Sequence, residues 1–346
     1  MSKVATNAKT NHIGLSREDY KGGATTLCPG CGHNAITNHI IQACYEFGVD
    51  PFMMGKFSGI GCSSKTPAYF VNKAHGFNAC HGRMPSVATG ALIANHKLAG
   101  LAVSGDGDTA SIGVGQFIHM IRRNLDVVYI IENNGVYGLT KGQFSATADV
   151  GSKLKKGSEN HFEPIDLCGL ALELGCGFVA RSFSGDKKQM VPLLKAALAH
   201  KGTAILDVIS PCVTFNDHEG STKSYDFVKD HDTPLQEIDF IPHYDEIEID
   251  YEAGDTTNVR LHDNSYVTLK KLNVDYDPTN RMAAMTLIQE ARNKQELLTG
   301  LLYIDPSKES FDQTLNLPEQ GLYGMKAEQL RPSQEQFAAI MKGFMG

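Results

Sequence analysis

The strongest constraint in this sequence is a change of texture, repeated in order, between residues 98 and 135. An apolar, strand-like run at 98–104 (LAGLAVS) passes through Gly105, Asp106, Gly107 and Asp108 into residues 109–123, whose apolar positions recur at helical spacing. After Asn124 comes a β-branched run at 125–131 (LDVVYII), ending in Glu132, Asn133, Asn134 and Gly135. Strand, loop, helix and strand make a βαβ unit. Short β-rich runs alternate with helix-like segments from about residue 35 to 230, so the expected class is α/β, a mostly parallel sheet with helices on both faces.

A chain of 346 residues can bury a sizeable core. Apolar residues are 42% and charged ones 21%, and no run of eighteen apolar residues occurs, so no membrane partner is expected. Net charge is −7 with no Lys/Arg run longer than a pair, which argues against nucleic acid as a partner. Residues 1–18 are polar and lack the basic-then-apolar order of a secretory signal, so the expected location is cytoplasmic, where thiols stay reduced. The eight cysteines then need an explanation other than disulfides.

A later strand-like run, 203–209, leads into Ser210, Pro211 and Cys212, where the proline ends strand pairing. The division expected from texture is a cofactor-binding domain over 1–234 and a C-terminal extension over 235–346. In the extension, 247–251 alternates like a strand, 252–255 reads as a turn and 258–262 as its partner strand, an appended hairpin. Residues 305–346 mix prolines with apolar patches such as 337–341 (FAAIM), a tail suited to packing on a larger partner.

Right-handed crossovers put the carboxyl ends of both strands on one edge, so Asp106 and Asn134 can meet there, where open sheets bind ligands. Magnesium takes near-octahedral oxygen ligands and shares them with phosphates, and the Asp106 carboxylate, the Asn134 amide oxygen and the Val136 carbonyl are the candidate set. Gly105 and Gly107 allow close approach to a diphosphate, and the following helix start offers free N–H groups. Asp108 is read as an N-cap. Either motif alone is an ordinary turn; together, on these strand ends, they favour a cofactor.

Cys28 and Cys31 form a CxxC, with Cys62 and Cys212 as companions in glycine- or proline-marked loops. Four thiolates suit a 4Fe–4S cluster or tetrahedral zinc, but structural zinc commonly uses two close ligand pairs and only one exists here, which favours iron–sulfur. A thioredoxin-like redox pair is the weaker alternative. Cys44, Cys168 and Cys176 lie in apolar helix-like stretches and are read as core; Cys80 has no assigned role.

The Gly-Asp-Gly at 105–107, with Asn134 following, resembles the signature of thiamine-diphosphate enzymes. The set CPGCGH at 28–33, GCSSK at 61–65, HGR at 81–83, GDGD at 105–108 and VYGLTKGQ at 136–143 resembles, over roughly residues 20–230, the β subunit of 2-oxoacid:ferredoxin oxidoreductases. That resemblance implies that Cys28, Cys31, Cys62 and Cys212 bind one 4Fe–4S cluster beside thiamine diphosphate. It places Gly61, Cys62, Ser63, Ser64, His81, Gly82, Gly105, Gly107, Asp108, Tyr137, Gly138, Leu139 and Thr140 at the cofactor, and Asp106, Asn134 and Val136 on Mg2+. Lys65 and Lys141 would face substrate carboxylates. Alone, either lysine would be a solvated surface residue and His81 a satisfied core histidine.

The reaction the resemblance implies is CoA-dependent oxidative decarboxylation of a 2-oxoacid, with electrons passing singly through the cluster to ferredoxin. Each step is reversible, so strongly reduced ferredoxin would drive carboxylation, the direction of carbon fixation in a reductive TCA cycle. No glutamate in the chain stands out as activator of the aminopyrimidine, so an α subunit would supply it, in a heterotetramer of two αβ pairs. Lys141 near the substrate end suits a second carboxylate, hence 2-oxoglutarate over pyruvate. The rival readings are a non-oxidative thiamine enzyme without a cluster and a zinc-stabilised interaction subunit.

Overall fold

A computed structural model of the protein describes residues 9–152, 158–214, 246–261 and 266–344. The domain boundary expected at 234/235 lies outside the described residues. Eleven strands are described: β1 Met54–Ser58, β2 His75–Asn78, β3 Ala99–Gly105, β4 Val127–Asn133, β5 Val136–Tyr137, β6 Gln143–Phe144, β7 Phe178–Phe183, β8 Thr203–Ile209, β9 Thr256–Arg260, β10 Tyr266–Lys271 and β11 Leu297–Ile304. Nine of them form one sheet in the order β2-β1-β3-β4-β8-β7-β11-β10-β9, and β5 and β6 form a separate two-stranded hairpin. The six strands from β2 to β7 are mutually parallel, β11 joins β7 antiparallel, and β9 closes the far edge antiparallel to β10.

Helices cover both faces because the central strands alternate which side chains they present. On one face Phe57, Ala102, Tyr129, Ile131, Val179 and Ile205 pack with α2 Met84–Ala94, α3 Val114–Arg123, α4 Leu167–Glu173 and α6 Arg281–Asn293. On the other, Leu101, Val103, Val128, Ile130 and Leu206 pack with α1 Gly32–Phe47 and α5 Lys187–Ala199. The remaining helices, α7 Phe311–Thr314, α8 Ala327–Leu330 and α9 Gln334–Phe344, bury no residue. The chain is thus α/β with helices on both faces of a mostly parallel sheet.

Three local readings need correction. The helix expected over 109–123 is broken: Gly107–Ile112 winds in wide π-type turns, closed by the Gly113 N–H on the Asp108 carbonyl at 2.7 Å, and α3 starts at Val114. The C-terminal hairpin is β9 with β10, one step later than read, and its β10 side continues into the main sheet. Residues 247–251 do alternate, with Ile247, Ile249 and Tyr251 packed on Phe183 and Leu269, but they form no ladder; the Ile249 N–H bonds the Gly185 carbonyl at 3.1 Å. The expected partner segment ends at His262, which is outside the described residues.

Candidate functional site

β2 pairs on one side of β1 and β3 on the other, so the chain reverses its direction of winding there and leaves a crevice at the carboxyl ends of the strands. Three segments line it: residues 60–63 after β1, 105–108 at the end of β3 and beyond, and 134 with 136–138 after β4. Eleven sequence-predicted residues therefore share one cleft: Gly61, Cys62 and Ser63; Gly105, Asp106, Gly107 and Asp108; Asn134, Val136, Tyr137 and Gly138.

The other candidates lie around it. The Ser64 hydroxyl donates to the Gly61 carbonyl at 2.7 Å and Ser63 to Ile60 at 3.1 Å, so both fold the turn after β1. Gly82 is buried, with its N–H on Asp108, whereas His81 is exposed. Leu139, Thr140 and Lys141 form the exposed tip of the β5–β6 hairpin, and Lys65 is half-buried.

Asp106 ties two of the loops together. Its Oδ1 accepts the Asn134 N–H at 3.2 Å and its Oδ2 the Gly135 N–H at 3.1 Å, while Asn134 Oδ1 accepts the Val136 N–H at 3.1 Å. A carboxylate, an amide oxygen and backbone groups thus converge on one cleft, a donor set that fits a hard cation bound with a diphosphate. Asp108 caps no helix. Its carboxylate accepts from the Gly82 N–H at 2.7 Å, the Ser104 hydroxyl at 2.8 Å and the Ile60 N–H at 3.3 Å, pinning three segments at once. Gly107 also differs from its reading: a Cβ there would meet the Tyr137 ring at 2.6 Å, so the missing side chain makes room for that ring, whose hydroxyl bonds the Gly107 carbonyl at 2.6 Å.

Sequence reasoning missed a buried polar group on the same cleft. His33, at the start of α1, places Nδ1 2.6 Å from Ser210 Oγ and Nε2 3.7 Å from Glu132 at the end of β4. Thr66 donates to both Glu132 oxygens, at 3.2 and 3.0 Å. Burial pushes His33 down to about 4 and Glu132 well above the usual carboxylate range, so burial favours the neutral form of each. Lys56 on β1, also missed, is buried with Nζ on the carbonyls of Pro67 (2.7 Å) and Phe70 (2.8 Å), and so braces the turn that carries Cys62.

The four cysteines come from three places: the loop before α1, the turn after β1 and the loop after β8. A Cβ on Gly32 would meet Ser210 Oγ at 2.6 Å and Ser184 Oγ at 2.7 Å, so only glycine lets the start of α1 close on the loop that carries Cys212. Burial raises the Cys31 thiol, and the negative fields of Cys212 and Cys62 add to this; Cys62 is likewise raised by burial and then by Cys28. Thiols such as Cys31 and Cys62, whose ionisation burial and neighbouring sulfurs oppose, are the setting a cationic iron–sulfur core relieves, so the donor chemistry fits such a group. Among the described residues no three His, Cys, Asp or Glu side chains already surround a common point as metal ligands. Cys44, Cys168 and Cys176 are buried in the core, and Cys80 is exposed.

Comparison with known proteins places this geometry. Residues 59–208 match the C-terminal TPP-binding domain of thiamine pyrophosphate enzymes, and residues 264–319 match the C-terminal family of the pyruvate ferredoxin oxidoreductase β chain. The 2-oxoacid:ferredoxin oxidoreductase β subunit of Saccharolobus solfataricus is 42% identical over 221 residues, covering 64% of this chain and 70% of that one. The 2-oxoglutarate oxidoreductase subunit KorB of Mycobacterium tuberculosis is 41% identical over 193 residues, 55% of this chain and 51% of that one. A solved 2-oxoglutarate:ferredoxin oxidoreductase from Magnetococcus marinus, with 2-oxoglutarate, coenzyme A and succinyl-CoA bound, matches with a TM-score of 0.73 at 30% identity, covering 96% of this chain and 99% of that one. With relatives of this identity and coverage matching a parallel-sheet cleft that carries the acid–amide pair, the chain belongs to the β subunits of 2-oxoacid:ferredoxin oxidoreductases.

Proposed function

We propose that this chain is the thiamine-diphosphate and 4Fe–4S subunit of an enzyme that converts 2-oxoglutarate and coenzyme A to succinyl-CoA and CO2, reversibly, with ferredoxin as electron partner. The observation that carries the reading is the convergence of residues 61–63, 105–108 and 134–138 on one cleft at the carboxyl edge of the sheet. The relatives named for 2-oxoglutarate support the substrate.

Asp106, Asn134 and the Val136 carbonyl would hold Mg2+, while Gly61, Ser63, Ser64, His81, Gly82 and the segment from Tyr137 to Thr140 would line the diphosphate cofactor. Cys28, Cys31, Cys62 and Cys212 would hold the cluster. When bound, thiamine diphosphate supplies the nucleophile and electron sink for decarboxylation, and the cluster a one-electron relay. The chain's own part is positioning. Asp108 fixes the three loop bases, the hydroxyls of Ser63 and Ser64 hold the turn after β1, and the buried His33 and Glu132 close one wall of the cleft. Lys65 and Lys141 are the cations for the two substrate carboxylates.

Glu132 is fully buried, the single Thr66 hydroxyl shared between its oxygens, and we assign the glutamate that activates the cofactor to an α subunit. The assembly would contain two αβ pairs in the cytoplasm. The helix α9 presents Phe337, Ile340, Met341 and Phe344 at helical spacing, all exposed, and we assign this stripe to the α subunit.

The test is anaerobic purification with the α subunit, followed by CoA-dependent reduction of a viologen dye with 2-oxoglutarate, pyruvate run in parallel. Turnover with 2-oxoglutarate in a sample containing iron and thiamine is the expected result. Preference for pyruvate would overturn the substrate, and a colourless or zinc-containing sample would overturn the cluster.

A further inference from the structure

A line of buried polar side chains runs across the carboxyl edge of the sheet and ends at Asp106. It starts at Arg181 on β7, whose guanidinium bridges two carboxylates, with Asp166 Oδ1 2.6 Å from its terminal nitrogen and Asp207 Oδ2, on β8, 3.0 Å from Nε. Asp207 Oδ1 accepts from the Asn133 amide nitrogen at 3.0 Å, which turns the amide oxygen of Asn133 toward Thr147 Oγ1 at 3.2 Å. The Thr147 hydroxyl shares its one hydrogen between that amide oxygen and Asp106 Oδ2, which it approaches at 2.5 Å. Each of these side chains except the half-buried Asp166 belongs to a residue that is buried.

Such a line is costly to bury unless every member is satisfied, and a satisfied one leaves each member a single orientation. Burial would lower the Arg181 pKa, but the attraction of Asp166 and then Asp207 outweighs it and holds the guanidinium charged. Asp207 therefore faces a fixed cation on one side and fixes the Asn133 amide on the other. Thr147 also lies just beyond β6, so the residue that touches Asp106 is the return stem of the hairpin whose tip carries Lys141.

We propose that Thr147, backed by Asn133, Asp207 and Arg181, is a positioning residue for Asp106: it sets the carboxylate for divalent cation and diphosphate and locks the β5–β6 hairpin to the metal side of the cleft. This rests on the assignment of Asp106 as a metal ligand. Outer partners of a metal ligand commonly change metal affinity by about 10–100-fold when removed. The sequence hides the relation, because the five contributing residues come from five separate stretches of chain.

The experiment is a titration of Mn2+ into the cofactor-stripped complex in the presence of thiamine diphosphate, read by the electron paramagnetic resonance of free Mn2+. Thr147→Val keeps the volume and removes the hydroxyl, and is expected to weaken Mn2+ binding about 10–100-fold. Thr147→Ser is expected to restore it to near the parent value, which a merely space-filling role would not require. Asp207→Asn, which frees the Asn133 amide to rotate, is expected to weaken binding in the same direction and serves in place of Thr147→Val if that variant does not fold. Binding within twofold of the parent in the folded variants would overturn the proposal. Asp106→Asn separates the two ideas: if it abolishes Mn2+ binding while Thr147→Val does not change it, the positioning role fails and the ligand assignment stands. If Asp106→Asn binds normally, the ligand assignment itself fails.

Discussion

Lys141 adopts φ +78°, a left-handed backbone that a side chain with a Cβ enters at a cost, on the exposed tip of the β5–β6 hairpin. On the proposed reading, a cation held there would meet an arriving anion. Lys141→Asn keeps a residue that tolerates this backbone and removes the charge, so kcat/KM for 2-oxoglutarate is expected to fall about 10–100-fold, the worth of a charge-assisted hydrogen bond, while pyruvate turnover is retained. Equal loss with both acids would remove Lys141 from substrate selection. His39 on α1 carries a different prediction. Burial first, and the Lys187 charge second, press its pKa from 6.5 down to about 4, with Nδ1 against the Met190 sulfur at 3.3 Å. The folded protein keeps His39 neutral while the unfolded chain takes up a proton, so stability is full above about pH 6.5 and is lost as pH falls toward 4. His39→Leu should reduce the drop between pH 7.5 and pH 5 by about 2 kcal/mol in denaturant titrations; an unchanged slope would mean the site is open to water. At this scale the sequence was legible as far as placing the local motif of Gly105 to Asp108 on the cleft, while the roles read for Gly107 and Asp108 needed the fold. It was opaque where partners are far apart in the chain: His33 against Glu132, and Lys56 under Pro67 and Phe70, carry no local signature.

At the scale of elements, the parallel strands could be read because both faces are covered and the runs are almost continuously apolar, as in β4 and β8. The C-terminal hairpin was misplaced for a physical reason. Residues 247–251 alternate because one side packs on Phe183 and Leu269, and alternation reports a half-buried extended segment whether or not it finds a ladder partner. The helix after β3 was read as continuous because apolar spacing survives a wide turn; the break at Gly113 follows from Asp108, whose carboxylate is held by Gly82, Ser104 and Ile60 and whose carbonyl takes the Gly113 N–H. The CxxC spacing suggests a ligand pair, but the reason for the glycine that follows it, contact with Ser210 and Ser184, needed the fold.

For the whole molecule, no described helix is long and apolar enough to cross a membrane, and the largest exposed apolar stripe on a described helix belongs to α9. If that stripe seats on the α subunit, Phe337→Glu with Ile340→Glu should leave the β chain folded, because neither side chain is buried in it, yet abolish co-purification with α. Retained co-purification at normal yield would assign the interface elsewhere.

The antiparallel seat of β11 against β7 also bears on how the chain acquires its structure. Until residue 304 has been synthesised, β7 is an open edge in the middle of what will become the sheet, and α4 lacks α6 to cover it. Pairing of that span is non-local, the slow kind of contact to form, and an uncovered apolar strand edge invites aggregation. A nascent chain of this kind is therefore vulnerable from the synthesis of β7 until residue 304, and the step that ends the vulnerability is the docking of its last strands, which makes chaperone supply and synthesis rate determinants of yield.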